Sequence, residues 1–309
     1  MTKLFHFINV PLAWVLRFIA DAFNGNFAAA VFIFTLLINI VFIPLTIKSQ
    51  KSAVQQLRIK PKLDELKKKY GDDKQKYSQA MSQLYQEENV SMSGGCLPML
   101  FRMLVLMSIY SLIMSPLTYL MNVDAGVISE AANALKEAGI EIAKNTRGQG
   151  EIQIINAVLN GTISSPEILE AAKNINFNLF GLNLTETPKF SFNIFGDFQA
   201  IWLMPIFSFA SQMLVSFIST KMQKKANPDA PNMTGMLLMM PLFSLYIGFL
   251  VPGGVSFYWV CSSLIGGLLQ VVIQHVYGPQ RLLAGERAKE LAKQCDFEAG
   301  QIKKLGNNE

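Results

Sequence analysis

Two long apolar runs joined by a short turn occupy residues 235–277, which read GMLLMMPLFSLYIGFLVPGGVSFYWVCSSLIGGLLQVVIQHVY. The first run, 235–251, is separated from the second, 255–277, only by the Pro-Gly-Gly at 252–254. A helix needs about 20 apolar residues to cross the roughly 30 Å of hydrocarbon in a bilayer, and both runs approach that length. Because Pro and Gly favour a tight turn, the stretch predicts two antiparallel membrane helices that form a hairpin.

The composition of the whole chain places this hairpin in a larger membrane protein. The 309 residues are 51% hydrophobic and only 16% charged, and the mean hydropathy is +0.30. Soluble domains carry about 25% charged residues. Three further apolar runs are long enough to span a bilayer. The sequence therefore predicts an all-α polytopic protein with five transmembrane helices, at 27–47, 97–121, 199–220, 235–251 and 255–277.

Lysine and arginine are distributed unevenly between the two sides that these spans define. One side holds nineteen of them, ten in the connection 48–96, three in 221–234 and six in the tail 278–309. The other side holds seven, in 1–26 and in 122–198. Because loops rich in Lys and Arg stay in the cytoplasm, we expect the N-terminus outside and the C-terminus in the cytoplasm. This bias also accounts for the basic pI, so no nucleic-acid specificity is expected.

The basic connection 48–96 has the pattern of a cytoplasmic helical hairpin. Two stretches with thin apolar stripes flank the Gly-Asp-Asp at 71–73, which combines a helix stop with an N-cap signal. Pro61 is expected to kink or end the first of these helices. The hairpin is either a plain connector or a mobile lid or docking arm, and the sequence does not decide between them.

Two segments on the outer side also have helical patterns. Residues 1–26 predict an amphipathic helix that lies on the outer interface, with no cleaved leader. The connection 122–198 predicts a small extracytoplasmic helical subdomain, with an amphipathic helix at 128–144. The pattern by itself assigns this subdomain no function.

One charge lies inside an apolar run and requires an explanation. Arg102 stands about 9 Å from the cytoplasmic end of its predicted span, and Asn39 about 12 Å from that end of the first span. A charge in hydrocarbon costs at least a few kcal/mol, so it normally faces a bundle interior or water. Polar or small residues at helical spacing line the first, third and fifth spans: Thr35, Asn39, Thr46, Ser208, Ser211, Gln212, Ser216, Ser219, Trp259, Ser263, Gly266, Gly267, Gln270 and Gln274. Together they predict a hydrated cavity that opens to the cytoplasm and closes on the outer side.

Two alternatives to this cavity remain open. Ser, Thr, Gly and Gln in membrane helices often serve helix packing alone, and Arg102 could extend its guanidinium to the cytoplasmic interface. We predict no enzyme, metal or cofactor, because there are two histidines, no HExxH, GxSxG or P-loop pattern, and no acidic residue within the five spans. A small-solute channel or transporter and a structural assembly factor remain as rival functions.

Four motifs, in this order and spacing, resemble the YidC/Oxa family of membrane protein insertases. They are IPLTIKSQKSA at 43–53, YGDDKQK at 70–76, GGCLPML at 94–100 and PGGVSFYWVCSSL at 252–264. The resemblance implies a bacterial inner or plasma membrane protein that moves hydrophobic segments and short outward tails of nascent proteins from the cytoplasm into the bilayer, without ATP hydrolysis. It further implies a positively charged hydrophilic groove, and the Sec translocon as an additional candidate partner. The cations of the tail, from Arg281 to Lys304, make the ribosome another candidate partner.

Two features depart from the pattern of that family. The family's groove arginine stands on the first span, five residues before the proline of the PLT motif, and this position is Asn39 here. Because Arg102 lies at a depth similar to that of Asn39, we expect Arg102 to supply the groove charge from the second span, with Asn39 able to hydrogen-bond its guanidinium. Residues 125–173 look like an insertion. We expect the polar cavity residues to line this groove, and two aromatic residues to contact the entering segment. The groove residues are Thr35, Asn39, Ser208, Gln212 and Gln270, and the contact residues are Tyr258 and Trp259.

Overall fold

The computed structural model describes residues 2–91, 97–140, 149–191, 193, 196–226 and 234–278, and parts of 284–299. Within these residues the protein is mostly helical, with a single two-stranded antiparallel sheet. The helices are α1 Thr2–Ala22, α2 Phe27–Val41, α3 Ile43–Tyr70, α4 Lys74–Glu87, α5 Leu97–Met114, α6 Pro116–Tyr119, α7 Ala125–Glu137, α8 Gln149–Leu159, α9 Pro166–Lys173, α10 Leu203–Ala226, α11 Thr234–Gly248 and α12 Gly253–Val276. The strands are β1 Asn178–Leu179 and β2 Leu182–Asn183, and a 3₁₀ turn at Ala200–Trp202 leads into α10.

Several helices are apolar enough to cross a membrane. Ala200–Met222 and Gly253–Tyr277 meet the length and composition of a span by themselves. A third span is obtained if α2 and the first part of α3, Ile43–Gln56, are counted together. Shorter apolar helices lie at Met103–Met114 and Met239–Gly248, within two other predicted spans. The protein is thus a helical, polytopic membrane protein, and the count of five spans stays a prediction.

Proline positions set two helix boundaries that differ from the predicted spans. The first span was expected to run without a break, but α2 ends at Val41 and Pro44 lies in the first turn of α3. Proline lacks the N–H that would bond one turn back, so it is best tolerated at a helix start. Likewise α5 ends at Met114, because Ser115 precedes Pro116 and is disfavoured in the helical conformation.

The chain divides into two compact units. We name the first the body unit and the second the hairpin unit. The body unit contains Met1–Val41, Arg102–Met222 and Ala230–Leu268, and the hairpin unit contains Phe42–Phe101, Gln223–Asp229 and Leu269–Glu309.

The body unit is built around one large apolar core, which we name the main core. Its buried members are Ala13, Leu16, Ile19, Ala20, Phe27, Ala28, Ala30, Val31, Phe34, Ile109, Leu112, Ile113, Leu120, Leu184, Ile201, Trp202, Met204, Val251, Val255 and Tyr258. Glycines let several helix ends meet here. A Cβ on Gly254 would lie 3.3 Å from the Phe27 ring and 3.4 Å from Ile113, and one on Gly253 would lie 2.6 Å from Ile201. The starts of α2, α10 and α12 and the end of α5 therefore lie at one end of this unit.

Helix α1 presents apolar side chains on two sides. Leu16 is buried in the main core, whereas Phe7, Trp14 and Phe18 are more than half exposed. The following turn requires Gly25, whose φ is +74° and whose Cβ would lie 2.0 Å from a backbone carbonyl oxygen. The exposed aromatic side suits an interfacial helix, and its place on the outer surface stays a prediction.

The insertion forms a helical subdomain with its own core, within the body unit. Helices α7, α8 and α9 pack around side chains that include Leu135, Ile154 and Ile168. The predicted helix 128–144 is wrong in its bounds. Asp124 caps α7 four residues earlier, and Gly139, with φ +79°, follows its end at Glu137. Residues 141–148 lie outside the described residues.

One carboxylate ties this subdomain to the segment that follows α5. Glu151 on α8 accepts hydrogen bonds from the Thr118 backbone N–H at 3.0 Å and from its hydroxyl at 2.6 Å. Burial raises the pKa of Glu151 and outweighs the opposing effect of these hydrogen bonds. The insertion is thereby held to α6 by a bidentate contact.

The hairpin unit contains the two helices α3 and α4, which pack against each other. Asp73 caps α4 by accepting from the Lys76 N–H at 3.1 Å, as the N-cap signal predicts. Glu88, at the end of α4, pairs with Arg58 at 2.9 Å and with Lys62. Pro61 does not end α3, which continues through it to residue 70. The two helices are thus joined by ion pairs at one end and by the capped turn at the other.

Candidate functional site

In three helices of the body unit, α2, α5 and α10, the side chains are buried towards one end of the helix and exposed towards the other. The buried side chains of α2 stop at Thr35, and no described side chain of α5 before Ser108 is buried. On α10 the buried side chains stop at Ser211, and every described side chain after it is partly or fully exposed. The buried end of each helix is the one that meets the others in the main core. We name the two parts of the unit the packed half and the open half.

Hydroxyl side chains occupy the boundary between these halves. Thr35, Ser108 and Ser208 are at most 1% exposed, and Ser211 is 7% exposed. Counted along their helices from the packed end, Thr35, Ser108 and Ser208 lie about 8–12 Å deep, so they are at similar levels. We name these four residues the polar layer. A layer of hydroxyls at mid-depth on three helices is where the apolar packing gives way to the open half.

The hydroxyls of the polar layer are largely satisfied within their own helices. The Thr35 hydroxyl donates to the Val31 carbonyl at 2.6 Å, and the Ser211 hydroxyl donates to the Ser208 carbonyl at 2.9 Å. Ser108 is different, because its buried hydroxyl has no hydrogen-bond partner in the described part of the chain. A buried unpaired hydroxyl is costly, so Ser108 marks a place where water or a visiting polar group would be favourable.

Two amide side chains follow one turn beyond the polar layer, in the open half. Asn39 donates from Nδ2 to the Thr35 carbonyl at 2.8 Å, and Gln212 donates from Nε2 to the Ser208 hydroxyl at 3.0 Å. Both residues are partly exposed. Each amide is anchored to its own helix, and its side-chain oxygen has no hydrogen bond within the described residues. These oxygens can accept from water or from a peptide N–H.

Not every predicted site residue joins this arrangement. Arg102 lies on α5, six residues from Ser108 towards the open end, but its side chain lies outside the described residues. Gln270 belongs to the hairpin unit, so its place in the groove stays a prediction. Tyr258 is only 6% exposed and belongs to the main core, whereas Trp259 is half-buried and packs against it. A contact between Tyr258 and an entering segment would require the main core to open locally.

Part of the predicted polar stripe on α12 serves helix packing. A Cβ on Gly267 would lie 2.5 Å from Cγ2 of Val215, so α10 and α12 approach closely at this glycine. Ser256 is a further polar residue that the spacing did not reveal, one turn before Trp259 on the same stripe. It is fully buried, and its hydroxyl has no hydrogen-bond partner among the described residues. Ser108 could not be found from the sequence, because the spacing on α5 carries no signal for it.

The described residues of the site offer hydrogen-bonding groups. Among the described residues, no cluster of three or more His, Cys, Asp and Glu side chains could hold a metal ion. The groups that line the boundary are hydroxyls and carboxamides. Such groups can form hydrogen bonds with water or with a polar polypeptide chain.

These features define a class: a helical membrane protein whose α2, α5 and α10 are buried at one end and carry polar side chains at mid-depth. The chain belongs to the family described as 60Kd inner membrane protein, which it matches over residues 18–280. The resemblance to the YidC/Oxa insertases is thereby confirmed. Together with the apolar helices, this family membership shows that the chain is a multi-pass protein of the bacterial membrane.

Curated relatives carry the name membrane protein insertase. The chain is 24% identical over 307 residues to membrane protein insertase YidC 2 of Listeria innocua, covering 98% of this chain and 81% of that protein. It is 29% identical over 276 residues to the YidC insertase of Sinorhizobium medicae, covering 89% of this chain but 37% of that longer protein. A segment of 104 residues is 43% identical to the Pseudomonas fluorescens insertase, of which it covers 18%.

Proposed function

We propose that this protein inserts membrane proteins, moving the hydrophobic segments and short outward tails of nascent chains from the cytoplasm into the bilayer. The observation that carries the proposal is the division of the body unit into a packed half and an open half, with the polar layer between them. A continuous polar path across the bundle would suit a solute channel. The apolar main core interrupts such a path, and so an insertase is favoured over a channel.

The physical advantage of such a cleft is a shorter hydrocarbon path for a polar tail. An unpaired backbone N–H or C=O in hydrocarbon costs several kcal/mol, and each residue of the tail brings one of each. A wet cleft that reaches the level of Thr35 and Ser208 lets the tail keep hydrogen bonds across the open half. Only the packed half then remains to be crossed, and no ATP hydrolysis is required at this step.

The groove charge completes the proposed mechanism. Arg102, about 9 Å along α5 from Ser108 into the open half, would attract acidic residues of an entering tail. Asn39, whose amide oxygen is available, would hydrogen-bond the guanidinium or its water shell. The charge would thus come from the second of five spans instead of the first. Its attraction is transient, because a tail held tightly could not continue.

The hydrophobic segment of the substrate would travel beside the cleft. Exposed apolar side chains follow α10 along its length, including Phe207, Leu214 and Phe217, and Leu264 and Leu268 continue this character on α12. In a bilayer such side chains face lipid, where an incoming apolar helix can pack against them. Trp259, which is half-buried and packs against the main core, would contact the segment.

The remaining parts of the proposal concern orientation and partners. The excess of Lys and Arg in 48–96, 221–234 and 278–309 supports a cytoplasmic open half and an outer packed half. The hairpin of α3 and α4 would receive substrates on the cytoplasmic side. The Sec translocon, and the ribosome through the tail, are further proposed partners.

Reconstitution tests this function directly. Purified protein is placed in liposomes, and a single-span substrate with a short acidic tail is added without nucleotide. We expect protease-protected, inserted substrate in these vesicles and little in empty ones, with no release of an entrapped small dye. Dye release without insertion would contradict the proposal and favour a channel.

A further inference from the structure

A polar cavity lies at the packed end of the body unit, away from the open half. Its volume is about 650 Å³. Helix α8 forms one wall, and the segment from the β1–β2 turn to Lys189 forms another. Gln199, the 3₁₀ turn that precedes α10, and Pro252 complete it. Since Ile201 and Pro252 lie where the helix starts meet, the cavity stands beside the turn that joins α11 to α12.

The walls of this cavity present unpaired hydrogen-bonding groups with defined directions. The Asn183 side-chain oxygen accepts from the Thr185 N–H at 3.1 Å and from its hydroxyl at 2.8 Å. The Gln199 side-chain oxygen accepts from the Lys189 N–H at 3.2 Å. Both amide groups are therefore fixed by their oxygens, and their NH₂ groups have no partner among the described residues.

An acceptor complements these two donors. The side-chain oxygen of Gln153 on α8 is buried and has no hydrogen-bond partner in the described part of the chain. Buried polar groups are nearly always paired in folded proteins, so an unpaired one beside a cavity points to an absent partner. Two donors and one acceptor around a single cavity match the N–H and C=O groups of a peptide.

The charge and the apolar side chains of the cavity lining further restrict the class of ligand that it can bind. One acid, Glu186, and one base, Lys189, are both exposed on the rim, so they leave no net charge. The cavity also contains the apolar side chains of Ile152 and Ile201, which are 5% and 4% exposed. A phosphate or carboxylate ligand would be expected to meet a cluster of cations. The lining favours an uncharged ligand with both amide and apolar groups.

We propose that this cavity binds a few residues of an uncharged, extended polypeptide segment on the outer side of the protein. The volume lies in the range of about 300–1,000 Å³ that is usual for ligand sites. This inference rests on the proposed function in one respect, namely that the segment is the tail of a substrate that has reached the outer side. Binding there would hold the tail out and oppose its return.

Peptide binding to the whole protein in detergent tests the inference. The probe is a fluorescein-labelled, amide-capped hexapeptide composed of Ser, Thr, Asn and Val, followed by fluorescence anisotropy. Asn156 lines the cavity and is partly exposed, so Asn156→Trp should fill it. Asn160 is exposed one turn further along and does not line it, so Asn160→Trp is the matched control. A second variant, Gln199→Leu, removes one donor, together with the hydrogen bond from the Lys189 N–H, without adding bulk.

We expect saturable binding to the unchanged protein, about tenfold weaker binding to Asn156→Trp and to Gln199→Leu, and less than about a twofold change for Asn160→Trp. Peptides in which Asp or Lys replaces Asn should bind more weakly. Absence of saturable binding would overturn the inference, and so would equal binding by the two Trp variants or displacement of the peptide by inorganic phosphate. Equal thermal unfolding of all variants shows that they are folded.

The outcome is separable from that of the proposed function. If the liposome assay shows insertion but no peptide binds, this inference is wrong and the insertase function stands. If peptide binds but no substrate is inserted, the insertase function is wrong and the cavity still binds peptide.

Discussion

Replacing Asn39 and Gln212 by leucine tests whether these amides serve a hydrated groove or only helix packing. Each side chain donates one described hydrogen bond, at 2.8 Å and 3.0 Å, and both bonds stay within the donor's own helix. A net hydrogen bond is worth about 0.5–1.5 kcal/mol, and leucine regains part of this in an apolar setting. We expect each substitution to change the free energy of unfolding by about 1 kcal/mol or less. For a protein of this size the melting temperature should move by no more than about 2–4 °C.

The effect on insertion should be larger than the effect on stability. If a hydrogen bond from each amide to the passing tail, or to the water around it, stabilises the tail by about 1 kcal/mol, loss of that amide slows insertion about fivefold. The double variant should then be about thirtyfold slower. The assay is the initial rate of protease protection in liposomes that contain equal amounts of folded protein, and Asn160→Leu, at an exposed position, is the control. An unchanged rate, or a rate loss that only follows a large drop in melting temperature, would refute the groove.

Three further predictions concern stability and are checked by thermal unfolding in detergent. Gly267→Ala should destabilise the protein by about 1–3 kcal/mol, since the new methyl would lie 2.5 Å from Val215, and Val215→Ala should restore it; an unchanged melting temperature would contradict the close helix approach. The raised pKa of Glu151 means that the native state holds its proton more tightly than the unfolded chain, so stability should fall as the pH rises through this pKa. Melts across about pH 4 to 8 should show this loss in the unchanged protein but not in Glu151→Gln, and identical profiles would contradict it. Phe180→Asn should stabilise the protein by about 1 kcal/mol, because Phe180 and Gly181 form the turn between β1 and β2 and Asn tolerates the φ of +49° at Phe180 better than Phe does. A lower melting temperature of this variant would contradict backbone strain at Phe180.

Some of this structure could be predicted because local chemistry decides it. Pro and Gly at 252–254 favour a turn between apolar runs, and a short connection does join α11 to α12. It lies at 249–252, however, so only Pro252 belongs to it, and Gly253 and Gly254 begin α12. Asp73 signals the start of α4 through its side chain. The polar stripe on α10 could be recognised from helical spacing, which places Ser208, Ser211 and Gln212 on one side.

Other features could not be predicted because they depend on contacts between distant segments. The boundary between the packed half and the open half, at Thr35 and Ser108, depends on how the helices pack. No residue type on α2 or α5 indicates where the buried side chains end. Strands of two residues, such as β1 and β2, are too short to show an alternating pattern. Gly267 was read as part of a polar stripe, and only its distance to Val215 identifies the helix contact.

The charge at Arg102 is the most direct test of the proposed mechanism. Insertion of a single-span substrate with an acidic tail should be measured in liposomes for the unchanged protein, for Arg102→Ala, and for Asn39→Arg combined with Arg102→Gln. A substrate with a neutral tail serves as the matched control. We predict about tenfold slower insertion of the acidic tail by the alanine variant, recovery in the combined variant, and little change for the neutral tail. Equal insertion of the acidic tail by all three proteins would contradict a groove charge at this position.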